Sequence, residues 1–137
     1  MLSIATQSIT RLKDKLRALT KRNRGKSIEE VIREINTIIP GWIRYFKHAQ
    51  CKGALARIDE WLRRKLRCYR LKQLKRTITI ARMLITQGIA ERSAWRVAKS
   101  GKGWWRLAIA PQIHRAMGVS WWKQNGLKGL VETFESL

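Results

Sequence analysis

Arginine residues in the middle of the chain carry the strongest chemical signal of this sequence. Arg63, Arg67 and Arg70 recur at steps of four and three residues, which places them in a line about 10 Å long on one side of a helix. A guanidinium group binds phosphate with two parallel hydrogen bonds, so such a line can follow a sugar–phosphate backbone. The alternative is a solvated face on which Asp59 and Glu60 pair with the arginines four residues further on. Because two carboxylates cannot neutralise this many cations, the pattern favours nucleic-acid contact.

The whole chain has a similar excess of basic over acidic residues. Its 137 residues include 30 Lys and Arg against nine Asp and Glu, a net charge of +21. A hydrophobic content of 45% with seven tryptophans excludes a disordered basic tail. A nucleic acid is the first candidate partner and an anionic membrane surface the second. Since no apolar run approaches the ~20 residues of a membrane span and no secretion signal is legible, we expect a cytoplasmic protein without a membrane partner.

Residues for metal or acid–base chemistry are scarce. Asp14 and Asp59 are the two aspartates and are far apart in sequence, whereas a polymerase-type Mg²⁺ site needs clustered carboxylates. His48, Cys51, Cys68 and His114 match no zinc-finger or zinc-knuckle spacing, although folding could gather them. We therefore predict no enzyme activity, no metal and no cofactor.

Apolar residues at helical spacing run through most of the chain and predict an all-α fold without a significant sheet. The first 76 residues are expected to form a small helical bundle, and residues 77–137 a second set of short helices. A capping box at Ser27 starts the second helix, Pro40 is expected to break or kink it, and Gly41 to open a short third helix. The remaining predicted helices cover residues 54–74, about Thr77–Gln87, Glu91–Ala98, Pro111–Asn125 and Lys128–Glu135.

Two clusters combine aromatic rings with cations. Lys102, Trp104, Trp105 and Arg106 lie between two predicted helices, where rings can stack on bases while cations pair with phosphates. At least one of these two tryptophans is expected to be a core residue instead. Tyr45, next to Arg44 in the other cluster, is open to both interpretations, packing between helices and stacking on a base.

Several stretches resemble group II intron-encoded reverse transcriptases. Residues 8–76 are similar to their maturase-specific domain, also called the X or thumb region, and the later segment is similar to their C-terminal part. The matching stretches are LRALTKRNRGKS (Leu16–Ser27), GWIRYF (Gly41–Phe46), IDEWLRRKLR (Ile58–Arg67) and SGKGWWR (Ser100–Arg106). The resemblance implies a helical thumb that binds intron RNA and promotes splicing, followed by a segment associated with DNA-target binding. The family's polymerase aspartates and its optional endonuclease ligands are not found in this chain.

The first functional hypothesis is an RNA-binding maturase fragment that assists intron folding and splicing without a polymerase palm. Two alternatives remain open: a trans-acting part of a split reverse transcriptase whose palm lies on another polypeptide, and a non-functional remnant. The chain is accordingly expected to be a natural remnant, a split-gene product or a piece excised from a longer protein. The implied partners are group II intron RNA, target DNA and a separate palm polypeptide.

The predicted contacts are basic side chains for the most part. The residues predicted to bind RNA are Lys13, Arg17, Arg24, Lys26, Arg44, Tyr45, Lys47, Arg63, Arg64, Lys65, Arg67, Arg70, Lys72, Lys75 and Arg76. The residues predicted to bind RNA or DNA are Lys102, Trp104, Trp105 and Arg106.

Overall fold

A computed structural model describes residues 4–21, 23–46 and 52–136 of the chain. The helices in chain order are α1 (Ile4–Leu19), α2 (Ile28–Ile43), a 3-10 turn (Arg44–Phe46), α3 (Lys52–Leu74), α4 (Thr77–Thr86), α5 (Glu91–Ala98), α6 (Trp104–Leu107), α7 (Pro111–Ala116), α8 (Val119–Gln124) and α9 (Leu130–Glu135). No strand occurs among the described residues, so the all-α prediction is confirmed.

The chain divides into two compact units, which we call unit 1 and unit 2. Unit 1 comprises residues 1–62 and 125–137, and unit 2 comprises residues 63–124. Helix α3 therefore supplies residues 52–62 to unit 1 and residues 63–74 to unit 2. The domain boundary expected at residue 76 stays a prediction.

Unit 1 has an aliphatic core built from the helical stripes that the sequence displays. Its buried side chains come from every helix of the unit and include Leu12, Leu16, Val31, Ile35, Ile39, Ile58, Leu62 and Leu130. The Asn36 side chain joins α2 to the segment before α9, since its Nδ2 donates to the Gly126 carbonyl at 2.6 Å and its Oδ1 accepts from the Lys128 backbone N–H at 2.9 Å. Two bonds to one amide fix the C-terminal segment in register with α2.

Helix α2 begins where the sequence predicts and ends later. The Ser27 hydroxyl accepts a hydrogen bond from the Glu30 backbone N–H at 3.2 Å, the N-cap interaction expected of this pair. Of the two effects expected at Pro40, the break is wrong, because the helix continues through Pro40 to Ile43. Gly41 accordingly opens no new helix. A proline this close to a helix C-terminus removes one intrahelical bond, and burial of Ile39 and Ile43 on either side supports the last turn.

Unit 2 packs the second part of α3 with five shorter helices. Its core includes aromatic as well as aliphatic side chains: Leu66, Tyr69, Leu71, Ile80, Leu84, Val97, Leu107, Ile113, Met117 and Trp122. Trp121 and Trp122 meet edge to face with ring centroids 4.7 Å apart. Trp122 is buried and therefore serves packing.

The predicted helix over Pro111–Asn125 is wrong in its extent. It consists of α7 and α8, which are separated at Met117 and Gly118. A Cβ atom on Gly118 would stand 2.8 Å from the His114 carbonyl oxygen, which is a steric clash. Only glycine, which has no Cβ, therefore fits at residue 118. The residues Trp104–Leu107, expected to lie between helices, form the short helix α6.

Candidate nucleic-acid interface

The arginine row of α3 is divided between the surface and the interior of unit 2. Arg63, Arg64, Lys65 and Arg70 are half-buried, and Arg70 donates to the Gln73 side-chain oxygen at 3.3 Å. Arg67 is only 3% exposed. The prediction that Arg67 belongs to an exposed basic line is therefore wrong: helical spacing places it beside Arg63 and Arg70, but unit 2 covers it.

Arg67 binds the ends of two short helices. Its Nε donates to the Ala108 carbonyl at 2.9 Å and its Nη1 to the Met117 carbonyl at 3.4 Å. Ala108 and Met117 are the C-cap residues of α6 and α7. The last carbonyls of a helix lack intrahelical partners and carry the negative end of the helix dipole, so a guanidinium suits both ends. Burial, together with the nearby charges of Arg63 and Arg64, lowers the pKa of Arg67 to about 10, which leaves it charged at neutral pH.

Arg64 binds a backbone carbonyl at the end of α6 and stacks on the Trp105 ring. Its Nε and Nη2 both donate to the Trp105 carbonyl, at 3.0 and 2.8 Å, and its guanidinium carbon lies 3.7 Å from the Trp105 ring centroid. The Lys65 ammonium lies 5.6 Å from the same centroid. Trp105 remains 38% exposed. The structure thus joins two predicted clusters, the arginine row and the aromatic segment, into one feature of unit 2.

The other predicted cations of unit 2 are exposed. These are Lys72, Lys75, Arg76, Lys102 and Arg106, while Trp104 is half-buried. Lys75 has a φ of 63°, the left-handed conformation that ends α3. Sequence reasoning missed six further exposed cations that the same unit brings in: Arg82, Arg92, Arg96, Lys99, Arg115 and Lys123. The sequence could have revealed them, because residues 77–124 contain many basic residues and only one acidic residue.

The charge of unit 2 is consequently extreme. It contains sixteen Lys and Arg with Glu91 as its single acidic residue, a net charge of +15, whereas unit 1 contains fourteen and eight, a net charge of +6. Together these make up the +21 of the chain. One carboxylate can offset only one of these sixteen positive charges, and such an excess is the electrostatic signature of a surface for a polyanion.

Four of the predicted cations of unit 1 have acidic or aromatic neighbours. Arg24 and Lys26 both pair with Glu34, at 2.8 and 2.7 Å, and their hydrogen bonds lower the pKa of that carboxyl group. Arg17 pairs with Asp14 at 2.7 Å. Arg17 and Lys13 both lie over the ring of Trp61, at 5.5 and 4.9 Å from its centroid. Arg44 is exposed, whereas the Tyr45 side chain and the whole of Lys47 lie outside the described residues.

The described part of the chain has neither a candidate metal site nor a helix that could span a membrane. It contains no group of three His, Cys, Asp or Glu side chains that could hold a metal ion, and His48 and Cys51 of the predicted set lie outside it. Of the other two, Cys68 is buried and forms no disulfide, and His114 Nε2 lies 3.4 Å from Arg67 Nη2. Among the described helices, none has both the length and the apolar character required to cross a membrane.

One known protein family matches part of this sequence. The family model of the group II intron maturase-specific domain matches residues 9–84, from α1 to α4, and so includes the whole arginine row. Comparison with the curated proteins gives no match. The matched residues make up more than half of the 137 in the chain. The chain therefore belongs to the family defined by the group II intron maturase-specific domain.

Proposed function

We propose that this protein binds group II intron RNA mainly through the cations of unit 2 and assists the folding of that RNA into its splicing-competent form. It does so in the cytoplasm and without a polymerase reaction of its own. The observation that carries the proposal is the ratio of sixteen basic residues to one acidic residue in unit 2. Membership of the maturase family supplies the class of RNA.

The mechanism is electrostatic. A folded intron brings phosphates of different helices close together, and cations placed between them lower that repulsion and release condensed counterions. The half-buried and exposed side chains suited to this contact are Arg63, Lys65, Arg70, Lys72, Lys75, Arg76, Lys102 and Arg106. Arg67 is not among them, because its guanidinium group is used inside the protein.

The test compares two triple variants that remove the same charge from different units. Arg63→Gln, Arg70→Gln and Arg76→Gln take three cations from unit 2, and Lys15→Gln, Arg33→Gln and Arg57→Gln take three exposed cations from unit 1. If roughly six phosphates are neutralised, log affinity for a structured intron RNA falls against log salt with a slope of about −4 to −5. The unit 2 variant is expected to make this slope shallower by about two, and the unit 1 variant by less than about one.

The measurement is a filter-binding or anisotropy titration of each protein across a salt series, with circular dichroism to confirm unchanged helicity. A larger loss of slope in the unit 1 variant would place the RNA surface in unit 1 and contradict the proposal. Binding that does not depend on salt would contradict it as well, since phosphate contacts cannot form without releasing counterions.

A further inference from the structure

A cavity in unit 2 combines positive charge with an apolar wall. Its volume is about 380 Å³, and its lining residues come from α5, α6, the start of α7 and the two loops that connect these helices. Three of the lining residues, Arg96, Lys102 and Arg106, are exposed cations. All the lining residues belong to the described part of the chain and none is acidic. The cavity therefore attracts an anionic group and has no carboxylate of its own to compete for the cations.

Besides the three cations and the polar side chains of Ser100 and Gln112, the lining contains aliphatic side chains. Val97 and Leu107 are buried, but Ile109 is 50% exposed. An exposed isoleucine beside three cations contributes nothing to the binding of phosphate alone, which is a fully polar group. It does suit a ligand that has an apolar face next to its anionic group. A nucleotide has both parts, and its size lies within the range of a cavity of a few hundred Å³.

We propose that this cavity binds one unpaired nucleotide of an RNA strand. The phosphate lies against Arg96, Lys102 and Arg106, and the face of the base lies against Ile109. A base within a helix is stacked on both sides and cannot present its face, whereas a bulged or looped base can be turned out. The inference rests on the proposed function for its ligand class, and adds to it a preference for irregular RNA over uniform duplex.

The test uses two RNA hairpins that differ by one bulged nucleotide. The unaltered protein is expected to bind the bulged hairpin about tenfold more tightly than the fully paired one at the same salt concentration, a difference of about 1.4 kcal/mol. Ile109→Glu places a carboxylate in the cavity and is expected to abolish this gain. The matched control is Val119→Glu, because Val119 is also an exposed aliphatic residue of unit 2, 59% exposed, and does not line the cavity. This control is expected to keep the gain.

A second variant guards against misfolding of the first. Lys102→Gln alters an exposed residue outside the helices and is expected to reduce the preference for the bulge several-fold, while Lys123→Gln, an exposed change of the same charge on α8, leaves it intact. Equal binding of both hairpins by the unaltered protein would overturn the inference and leave the proposed function standing. Failure to bind either hairpin would refute the proposed function itself. Tight binding of free cytidine monophosphate without a bulge preference would overturn the inference too, since the site would then serve a small molecule.

Discussion

Units 1 and 2 use the same helix, α3, to hold distant parts of the chain, but they do so with opposite charges. In unit 1 the Asp59 carboxylate, 8% exposed, accepts hydrogen bonds from the backbone N–H groups of Leu130 and Val131 at 2.7 and 3.1 Å. In unit 2 the buried Arg67 donates to the carbonyls of Ala108 and Met117. The negative Asp59 carboxylate binds the N-terminus of α9, and the positive Arg67 guanidinium binds the C-termini of α6 and α7. Each charge is therefore opposite to the partial charge of the helix end that it contacts.

The two units differ in what surrounds these buried charges. Unit 1 pairs several of its cations with carboxylates, such as Arg24 and Lys26 with Glu34 and Lys52 with Glu135. Unit 2, with only Glu91, places cations against carbonyls and aromatic rings, as Arg64 does with Trp105 and Lys99 with Trp95. Contacts of the second kind hold a side chain in place without cancelling its charge. Unit 2 can thus be ordered and strongly positive at once, which is what a phosphate-binding surface requires.

The largest effect is expected from Arg67→Met, which tests the buried cation of unit 2. The substitution keeps an unbranched apolar chain, which is shorter than that of arginine, and leaves two buried carbonyl oxygens without their donor, at about 1–3 kcal/mol each. We expect the free energy of unfolding to fall by roughly 3 kcal/mol. Urea denaturation followed by circular dichroism measures it. Lys72→Met on the exposed side of the same helix is the control, with a change within about 0.5 kcal/mol. An equal effect of the two substitutions would show that Arg67 does not hold α6 and α7.

A smaller effect is expected from Asp59→Asn, the corresponding change in unit 1. An amide has one acceptor oxygen where the carboxylate has two, so one of the two N–H groups at the start of α9 loses its charged partner. The loss of such a cap costs about 1 kcal/mol. Hydrogen exchange at the Leu130 and Val131 amides should become faster through local opening of this helix end, without global unfolding of the protein. The matched control is Asp14→Asn, whose pair with Arg17 is exposed and contributes about 0.5 kcal/mol or less; faster exchange of these amides in that control would contradict the role of Asp59.

The smallest effect is expected from Glu34→Gln, which tests how the stability contributed by the Glu34 carboxyl group depends on pH. Lys26 and Arg24 lower its pKa below the ordinary value of 4.5, so its pairing stabilises the folded state above that value. This contribution is lost as the pH falls through the depressed pKa of the folded protein. Glu34→Gln should therefore lower the urea midpoint at pH 7 and change it little at pH 2. A Glu29→Gln control on the exposed face of α2 should show no such pH-dependent difference; a loss at Glu34→Gln that is equal at both pH values would contradict the charge pairing.

Local patterns in the sequence were sufficient for most helices and for the N-cap at Ser27. Helical periodicity and capping depend on residues three and four apart, and α3, α4 and α5 begin or end within two residues of their predicted limits. Pro40 and Gly118 were misread because their effect depends on what lies around them. The core on both sides of Pro40 keeps α2 intact, while the close approach of the His114 carbonyl requires a glycine at residue 118.

The sequence by itself determined that the chain is helical, strongly basic and similar to maturases, because composition, period and local motifs carry that information. Only the tertiary structure decided which cations remain available to a partner. Arg63 and Arg67 look alike in the sequence and occupy one helix face. Arg63 is half-buried, whereas Arg67 is buried and donates hydrogen bonds to two helix ends that lie 41 and 50 residues further along the chain. The physical reason is that burial depends on residues distant in the chain, and a helix pattern contains no information about which segment will cover which side chain.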